Sequence, residues 1–276
     1  MQISNLTLPH RSSYVLLVFL VLIAVEFLWY RWRRTQGYDL KESAASLVIA
    51  VGRRLTRMGS SVLLLPVFLW VYDHRLFTIP INNVGSVLGL FLIVEFFYYW
   101  FHRFSHTVRW MWASHSVHHS STKMNLSAAY RVGFTDLFSG DWIFFLMPMW
   151  LGFNPVAVLA ALGANLTYQI LLHTEVIGSL GPLEWIFNTP AHHRVHHAKN
   201  ESCLDKNFGG ILIVYDRLFG TFAKAPENEP LQYGLAQKSP SVNPLRIAFG
   251  EWLSMFADLW RARTPANAWR AVFGRP

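Results

Sequence analysis

Apolar runs bordered by basic and aromatic residues set the pattern of this chain. Residues 14–30, YVLLVFLVLIAVEFLWY, form the first run and end in RWRR. A helix of that length crosses a bilayer if it extends slightly at its start. A signal peptide would carry its charge before the apolar core, so this run predicts a retained anchor with its C-terminal end in the cytoplasm. Residues 43–57 mix apolar positions with Arg53, Arg54 and Arg57, which predicts a helix lying in the membrane interface. Residues 58–72 then run outward with a kink at Pro66, and residues 84–101 return to the cytoplasmic face.

Two further apolar segments, 142–153 and 155–172, are broken at Asn154–Pro155. A hairpin there brings His173 back to the face where His102 begins. Residues 102–136 and 173–245 are more polar and read as a cytoplasmic cap, with GGILIVYDRLFGTF (209–222) as a candidate small hairpin. Residues 246–274 read as amphipathic surface helices rich in Trp and Arg. No internal repeat or linker divides the chain. The expectation is a single all-α integral membrane domain over 1–276. It has about four transmembrane helices (14–30, 58–72, 84–101 and the broken 142–172), interfacial helices and a histidine-rich cap.

Composition sharpens this picture. The chain is 53% hydrophobic and only 14% charged, against about 25% charged in ordinary soluble chains. Its mean hydropathy is +0.26. The formal charge is +8. Because the basic residues flank apolar runs, they read as topology signals and headgroup contacts, and nucleic acid is not expected as a partner. The single cysteine, Cys203, leaves no internal disulfide or cysteine-rich metal site and reads as an incidental thiol.

Ten of the twelve histidines lie between 102 and 197. His102 and His106 are spaced i, i+4 and share a helix face. His115, His118 and His119 share another, and His193, His196 and His197 repeat that spacing after Thr189–Pro190, a helix start. His173 stands alone at the end of its apolar run. Neutral imidazole is a common metal ligand, and nine are too many for one ion and about right for two. Imidazole suits zinc, copper, iron and nickel alike. Nine neutral ligands leave the cations uncompensated, so carboxylates are expected behind the rings. Glu95 is the leading candidate, since it sits in an apolar run on the face of His102 and His106. Asp136, Glu175, Asp205 and Asp216 are further candidates, with Asp141 beside them. His192 falls off the main face of its helix and is expected behind the ligands. His10 and His74 read as polar anchors. Tyr98, Tyr99, Trp100, Trp110 and Trp112 read as anchors or core, and Lys199, Asn200, Lys206 and Asn207 as a solvated turn.

HxxxH (102–106), HxxHH (115–119) and HxxHH (193–197) between membrane helices resemble the fatty acid hydroxylase and sterol desaturase superfamily. The resemblance covers roughly residues 84–222. Within it YYWFHR, HSVHHSS, GPLEW, NTPAHHRVHH and DKNFGGILIVYDRLFGTF are most similar to the alkylglycerol monooxygenase branch, although Thr107 stands where that branch carries a glutamate. The resemblance implies O2-dependent hydroxylation of a membrane lipid at two iron ions held by the nine histidines, with zinc able to replace iron in a purified sample. Ether-lipid, fatty-acyl and sterol-like substrates all fit it. Electrons must come from an external donor, such as a reduced pterin or a ferredoxin or cytochrome chain, because the chain has no dinucleotide, haem or iron–sulfur motif. A desaturase shares these motifs. A rival of another class is a membrane metal transporter or store, but a transporter places its ligands near the bilayer midplane, whereas these histidines fall beyond helix ends.

Overall fold

The structure, a computed structural model, describes residues 9–236 and 238–276, with side chains from Leu17 onward apart from Gln237. His10 therefore lies outside the described side chains. Helices α1 (Pro9–Arg33), α2 (Leu40–Asp73) and α3 (Val84–Thr107) come first. The histidine-bearing α4 (Arg109–His119) comes next, then the short α5 (Asp136–Ser139) and α6 (Leu146–Leu151). After these lie α7 (Pro155–Ile170), α8 (Pro190–His197), α9 (Val214–Leu218), α10 (Pro244–Arg261) and α11 (Pro265–Phe273). No strand occurs among the described residues. Helices α2 and α3 are long and apolar enough to cross a membrane. Leu47, Val51, Val62 and Leu65 on α2, and Val84 and Leu88 on α3, stand exposed.

The expected interfacial helix 43–57 and the span 58–72 are one helix of 34 residues. Nothing breaks it, because Ala, Leu, Arg and Met around Arg53–Met58 are good helix formers and Pro66 lies inside the helix. Asp39 caps its start, accepting from the backbone N–H groups of Lys41 at 2.8 Å and Glu42 at 3.2 Å. The first half of α2 packs on the histidine-bearing region, where Ala45, Ile49, Val117 and Ile247 form one buried cluster. The second half joins a separate core with Leu90, Val94 and Tyr98 of α3.

The segment after α5 runs away from the histidines. A 3-10 turn (Asp141–Phe145) leads into α6, and Gly152 ends beside the α2–α3 connection, where the Ile79 N–H donates to its carbonyl at 3.1 Å. Gly152 has φ +128, and a Cβ there would stand 2.4 Å from the Phe77 oxygen, so glycine is required. Asn154 caps α7, which starts at Pro155 and returns, leaving His173 just past its end.

The candidate hairpin at 209–222 does not form. Residues 214–218 make one short helix instead, and a single bridge joins Phe187 to Leu212. The N–H groups of Phe208, Gly209, Ile211 and Leu212 go to the carboxylates of Asp216 and Glu95, which leaves them unavailable to a ladder. At the C-terminus, Trp252 and Met255 of α10 pack on Ala113 of α4. Leu245, Leu253, Phe256 and Trp260 face outward.

Candidate metal centre

Three short helical stretches and one loop carry the nine imidazoles to a single place. The last two turns of α3 present His102 and His106. Val108, extended at φ −116, redirects the chain so that α4 presents His115, His118 and His119. Helix α8 presents His193, His196 and His197, and His173 arrives from α7. The rings form two groups. His102, His106, His115, His119 and His196 make one, and His118, His173, His193 and His197 the other. Within each group one nitrogen per ring lies within 4.8 Å of all the others. The groups abut, with the His119 and His197 rings stacked at 4.3 Å.

Spacing between facing nitrogens tests whether a cation fits. His115 Nε2 is 3.1 Å from His102 Nε2 and 3.2 Å from His119 Nε2. His173 Nε2 is 3.1 Å from the Nε2 atoms of both His118 and His193. Two nitrogens bound at ~2.1 Å to one ion, 90–110° apart, stand roughly 3.0–3.4 Å from each other. In addition, the buried Nε2 atoms of His106 and His196 have no hydrogen-bond partner in the structure. A buried polar atom without a partner is costly, and a cation in the five-histidine group would take both. The all-nitrogen set suits zinc, iron, copper or nickel and disfavours calcium and magnesium.

Backbone carbonyls, not carboxylates, stand behind the rings. Nδ1 of His102 meets the Phe208 oxygen at 2.8 Å, that of His118 the Arg131 oxygen at 3.2 Å, that of His173 the Gln169 oxygen at 2.8 Å and that of His196 the Lys206 oxygen at 2.9 Å. A carbonyl accepts a hydrogen bond from Nδ1–H and so fixes the tautomer that frees Nε2. Burial lowers the pKa of His118 to about 4 and that of His196 to about 3, partly offset by those carbonyl bonds. Both are neutral near pH 7, the form that binds metal.

Of the carboxylates expected behind the rings, Asp205 alone comes within 4 Å of a ring nitrogen among the described residues, and the others bond elsewhere. Glu95 bonds no histidine among the described residues. It accepts from Asn165 and from the N–H groups of Ile211 at 2.8 Å and Leu212 at 2.9 Å. Asp216 accepts from Phe208 N–H at 2.8 Å and Gly209 N–H at 2.7 Å, and thereby holds the segment whose carbonyl faces His102. Asp136 pairs with Arg53 at 3.4 Å, and Glu175 accepts from Tyr233 at 3.1 Å. Asp205 stands 3.9 Å from His106 Nδ1 and is half-exposed. His192 belongs to neither group. It is buried against Phe222, with Nδ1 unpartnered. Asn207, read as a solvated turn residue, is fully buried and donates to the carbonyls of His192 and Ala223.

Sequence reasoning missed three residues that hold the site. Arg131 is fully buried, pairs with Glu42 at 3.3 Å and supplies the carbonyl behind His118. Glu42 also accepts from Ser121 Oγ at 2.8 Å and Thr122 N–H at 3.0 Å. Glu26 on α1 accepts from Leu126 N–H at 2.8 Å, Tyr38 at 2.5 Å and Thr174, the neighbour of His173. Glu26 carries the same signal as Glu95, an acid inside an apolar run. Trp112 lies against two rings of the five-histidine group, 5.2 Å from His106 and 5.6 Å from His119.

A histidine cage of this kind between apolar helices defines a class, and comparison with known proteins gives it a name. Residues 87–221 match the family model for fatty acid hydroxylase, and the chain belongs to that family. It is 39% identical over 238 residues to alkylglycerol monooxygenase of Homo sapiens, covering 86% of this chain and 53% of that protein. Alkylglycerol monooxygenase of Danio rerio is 37% identical over 248 residues, with coverage of 89% and 55%. Ornithine lipid hydroxylase OlsE of Rhizobium tropici is 34% identical over 157 residues, with coverage of 55% and 46%. The chain spans about half the length of these relatives. No solved structure matches it.

Proposed function

We propose that this protein is an integral membrane monooxygenase that hydroxylates a lipid at two iron ions held by the nine histidines. The observation that carries the reading is the pair of abutting imidazole groups, one of five rings and one of four. A lipid substrate is inferred from the relatives, named alkylglycerol monooxygenase and ornithine lipid hydroxylase. Iron bound there supplies the reduction of O2 and the oxidation of a C–H bond, with electrons from an outside donor such as a reduced pterin or a ferredoxin or cytochrome chain.

The residues themselves do three things. The carbonyls of Phe208, Arg131, Gln169 and Lys206 hold four rings with Nε2 turned inward. Burial keeps His118 and His196 unprotonated near pH 7. The apolar helices below keep an acyl or alkyl chain in the lipid layer while its reacting carbon meets the boundary. The single membrane domain would place α1, α2, α3 and the α6–α7 pair across the bilayer. The placement of Arg31, Arg33, Arg34, Arg53, Arg54 and Arg57 towards the histidine end supports a cytoplasmic side for that end.

The test is metal content and lipid analysis together. Protein loaded anaerobically should hold two iron ions per chain, and cells producing it should contain a lipid gaining one oxygen or losing an ether chain. His118→Ala should lower metal content and abolish turnover. Full iron and normal turnover in that variant would refute the assignment.

A further inference from the structure

The loop beyond α8 does not rise away from the apolar helices; it folds back beside α3, and the loop beyond α7 is bonded to it through Ile186–Ile213 and Asn188–Ile211. The Tyr215 hydroxyl donates to the Leu92 carbonyl at 2.9 Å, and Ile211 and Leu212 donate to Glu95. Leu92 lies ten residues before His102, or roughly 15 Å down the helix at 1.5 Å per residue. Helix α2 gives an independent gauge. Phe68 shares a buried cluster with Leu90 and Val94, the residues flanking Leu92. Arg57, the nearest charged residue towards the histidine end, precedes Phe68 by eleven positions, or roughly 16 Å. Tyr215 thus reaches about half-way into a hydrocarbon layer ~30 Å thick.

The surface and the interior of these loops suit that depth. Leu183 is 55% exposed, Trp185 69%, Ile186 51% and Leu218 69%. Irregular backbone at membrane depth is tolerated only where its polar groups are satisfied within the protein, and many of those of these loops are. Ile186 and Phe187 donate to the Leu183 carbonyl, Asn188 to Ile211 and Ile213 to Ile186. Leu180 N–H goes to Glu184 at 2.9 Å. The Arg217 guanidinium is half-buried, bonded to the carbonyls of Glu184 and Trp185 and lying over Phe222 at 3.8 Å.

We propose that residues 176–187 and 209–219 form a re-entrant lobe within the lipid layer, with Leu183, Trp185, Ile186 and Leu218 against acyl chains. The proposal rests on the reading of α3 as a membrane span. It gives Glu95 a role as the acceptor that lets irregular backbone sit at that depth. It also makes the 176–187 segment, which joins His173 to His193, a lipid-facing wall beside the four-histidine group.

The experiment is nitroxide accessibility in phosphatidylcholine vesicles, in a Cys203→Ala background. Labels are placed by Leu183→Cys and Leu218→Cys on the lobe, Leu88→Cys on α3 and Glu227→Cys on the exposed cap. The expected result is an O2-to-nickel-chelate accessibility ratio several-fold higher at 183, 218 and 88 than at 227. Either lobe label matching position 227 while 88 stays lipid-like overturns the lobe. Position 88 matching 227 overturns the span on which it rests. The unaltered chain provides a second measurement, by photolabelling with a phospholipid carrying a mid-chain diazirine. Adducts on peptides covering 176–187 and 214–219 support the lobe, and adducts confined to α1–α3 and α7 overturn it.

Discussion

Glu42 is the sharpest place to test how the histidine cage is held. Arg131 is fully buried, and its charge is met by one carboxylate, that of Glu42 at 3.3 Å. The remaining donors of Arg131 go to neutral groups: Ser46 Oγ at 3.2 Å, Ser120 Oγ at 3.3 Å and the Glu42 carbonyl at 3.0 Å. Glu42→Ala therefore leaves a buried guanidinium uncompensated, which costs ~3–5 kcal/mol. The lost bonds from Ser121 and Thr122 lie within that range rather than adding to it, because water can enter the space vacated. For a chain of this size 1 kcal/mol moves Tm by about 2–4 °C, so the expected drop is roughly 6–20 °C. Metal retention should fall as well, since the Arg131 carbonyl meets His118 Nδ1. The assay is thermal unfolding in detergent with parallel metal analysis. The double variant Glu42→Leu with Arg131→Met removes both charges and should recover most of the lost Tm, as apolar replacement of a buried pair does. A double variant no more stable than Glu42→Ala would refute the uncompensated-charge reasoning.

Acid should destabilise the metal-free protein through the same imidazoles. His118 and His196 titrate at about 4 and about 3 in the fold, whereas the unfolded chain takes up those protons near ~6.5. The unfolded state binds more protons in that window, so stability is full above ~6.5 and falls as pH drops towards 4; denaturant midpoints at a series of pH values check the slope, and a flat profile contradicts it. Gly210→Ala should cost ~1–3 kcal/mol, because a Cβ there would stand 2.0 Å from Asn165 Nδ2, the donor to Glu95. Unchanged thermal unfolding in that variant would show that the Glu95 region yields freely.

The histidine clusters are legible in the sequence because their information is local. Spacings of three and four residues place rings on one helix face whatever the tertiary fold, and Thr189–Pro190 marks where α8 begins. The turn at Asn154–Pro155 is local in the same sense. Glu95 is legible as an anomaly but not in its partners. Its acid stands out in an apolar run, yet its bonds go to Ile211 and Leu212, more than a hundred residues away. Glu42 and Arg131 give no signal, since each looks like an ordinary charge in a polar stretch until folding brings them together. The continuity of α2 was obscured by charge: three arginines within five positions suggest an interface, but helix propensity carries the chain through them.

Four of the five buried carboxylates among the described residues, Glu26, Glu42, Glu95 and Asp216, share one habit: each accepts from the backbone N–H of an irregular segment, and none of the four bonds a histidine. Where water is excluded, such segments need strong acceptors, and a carboxylate supplies two oxygens with no donor of its own. Glu95 carries this habit furthest into the core. Its Oε2 takes Ile211 and Leu212, and its Oε1 takes the Asn165 amide. Asn165 Oδ1 in turn accepts from Gln169 at 2.6 Å, and Gln169 Oε1 accepts from the Tyr98 hydroxyl at 3.0 Å. In Glu95→Gln the new amide must keep its oxygen on the two backbone donors, so its NH2 faces the NH2 of Asn165. Flipping Asn165 moves the clash to Gln169, and flipping Gln169 moves it to Tyr98. There it ends, because a hydroxyl accepts as readily as it donates. Glu95→Gln alone should therefore be mild, as should Tyr98→Phe, each costing ~1 kcal/mol or somewhat more. Together they leave a buried amide facing a bare ring. The double-mutant cycle should show a coupling of at least ~0.5 kcal/mol beyond the sum of the single changes. Strict additivity would mean that the relay from α3 through α7 to Tyr98 does not act as one unit.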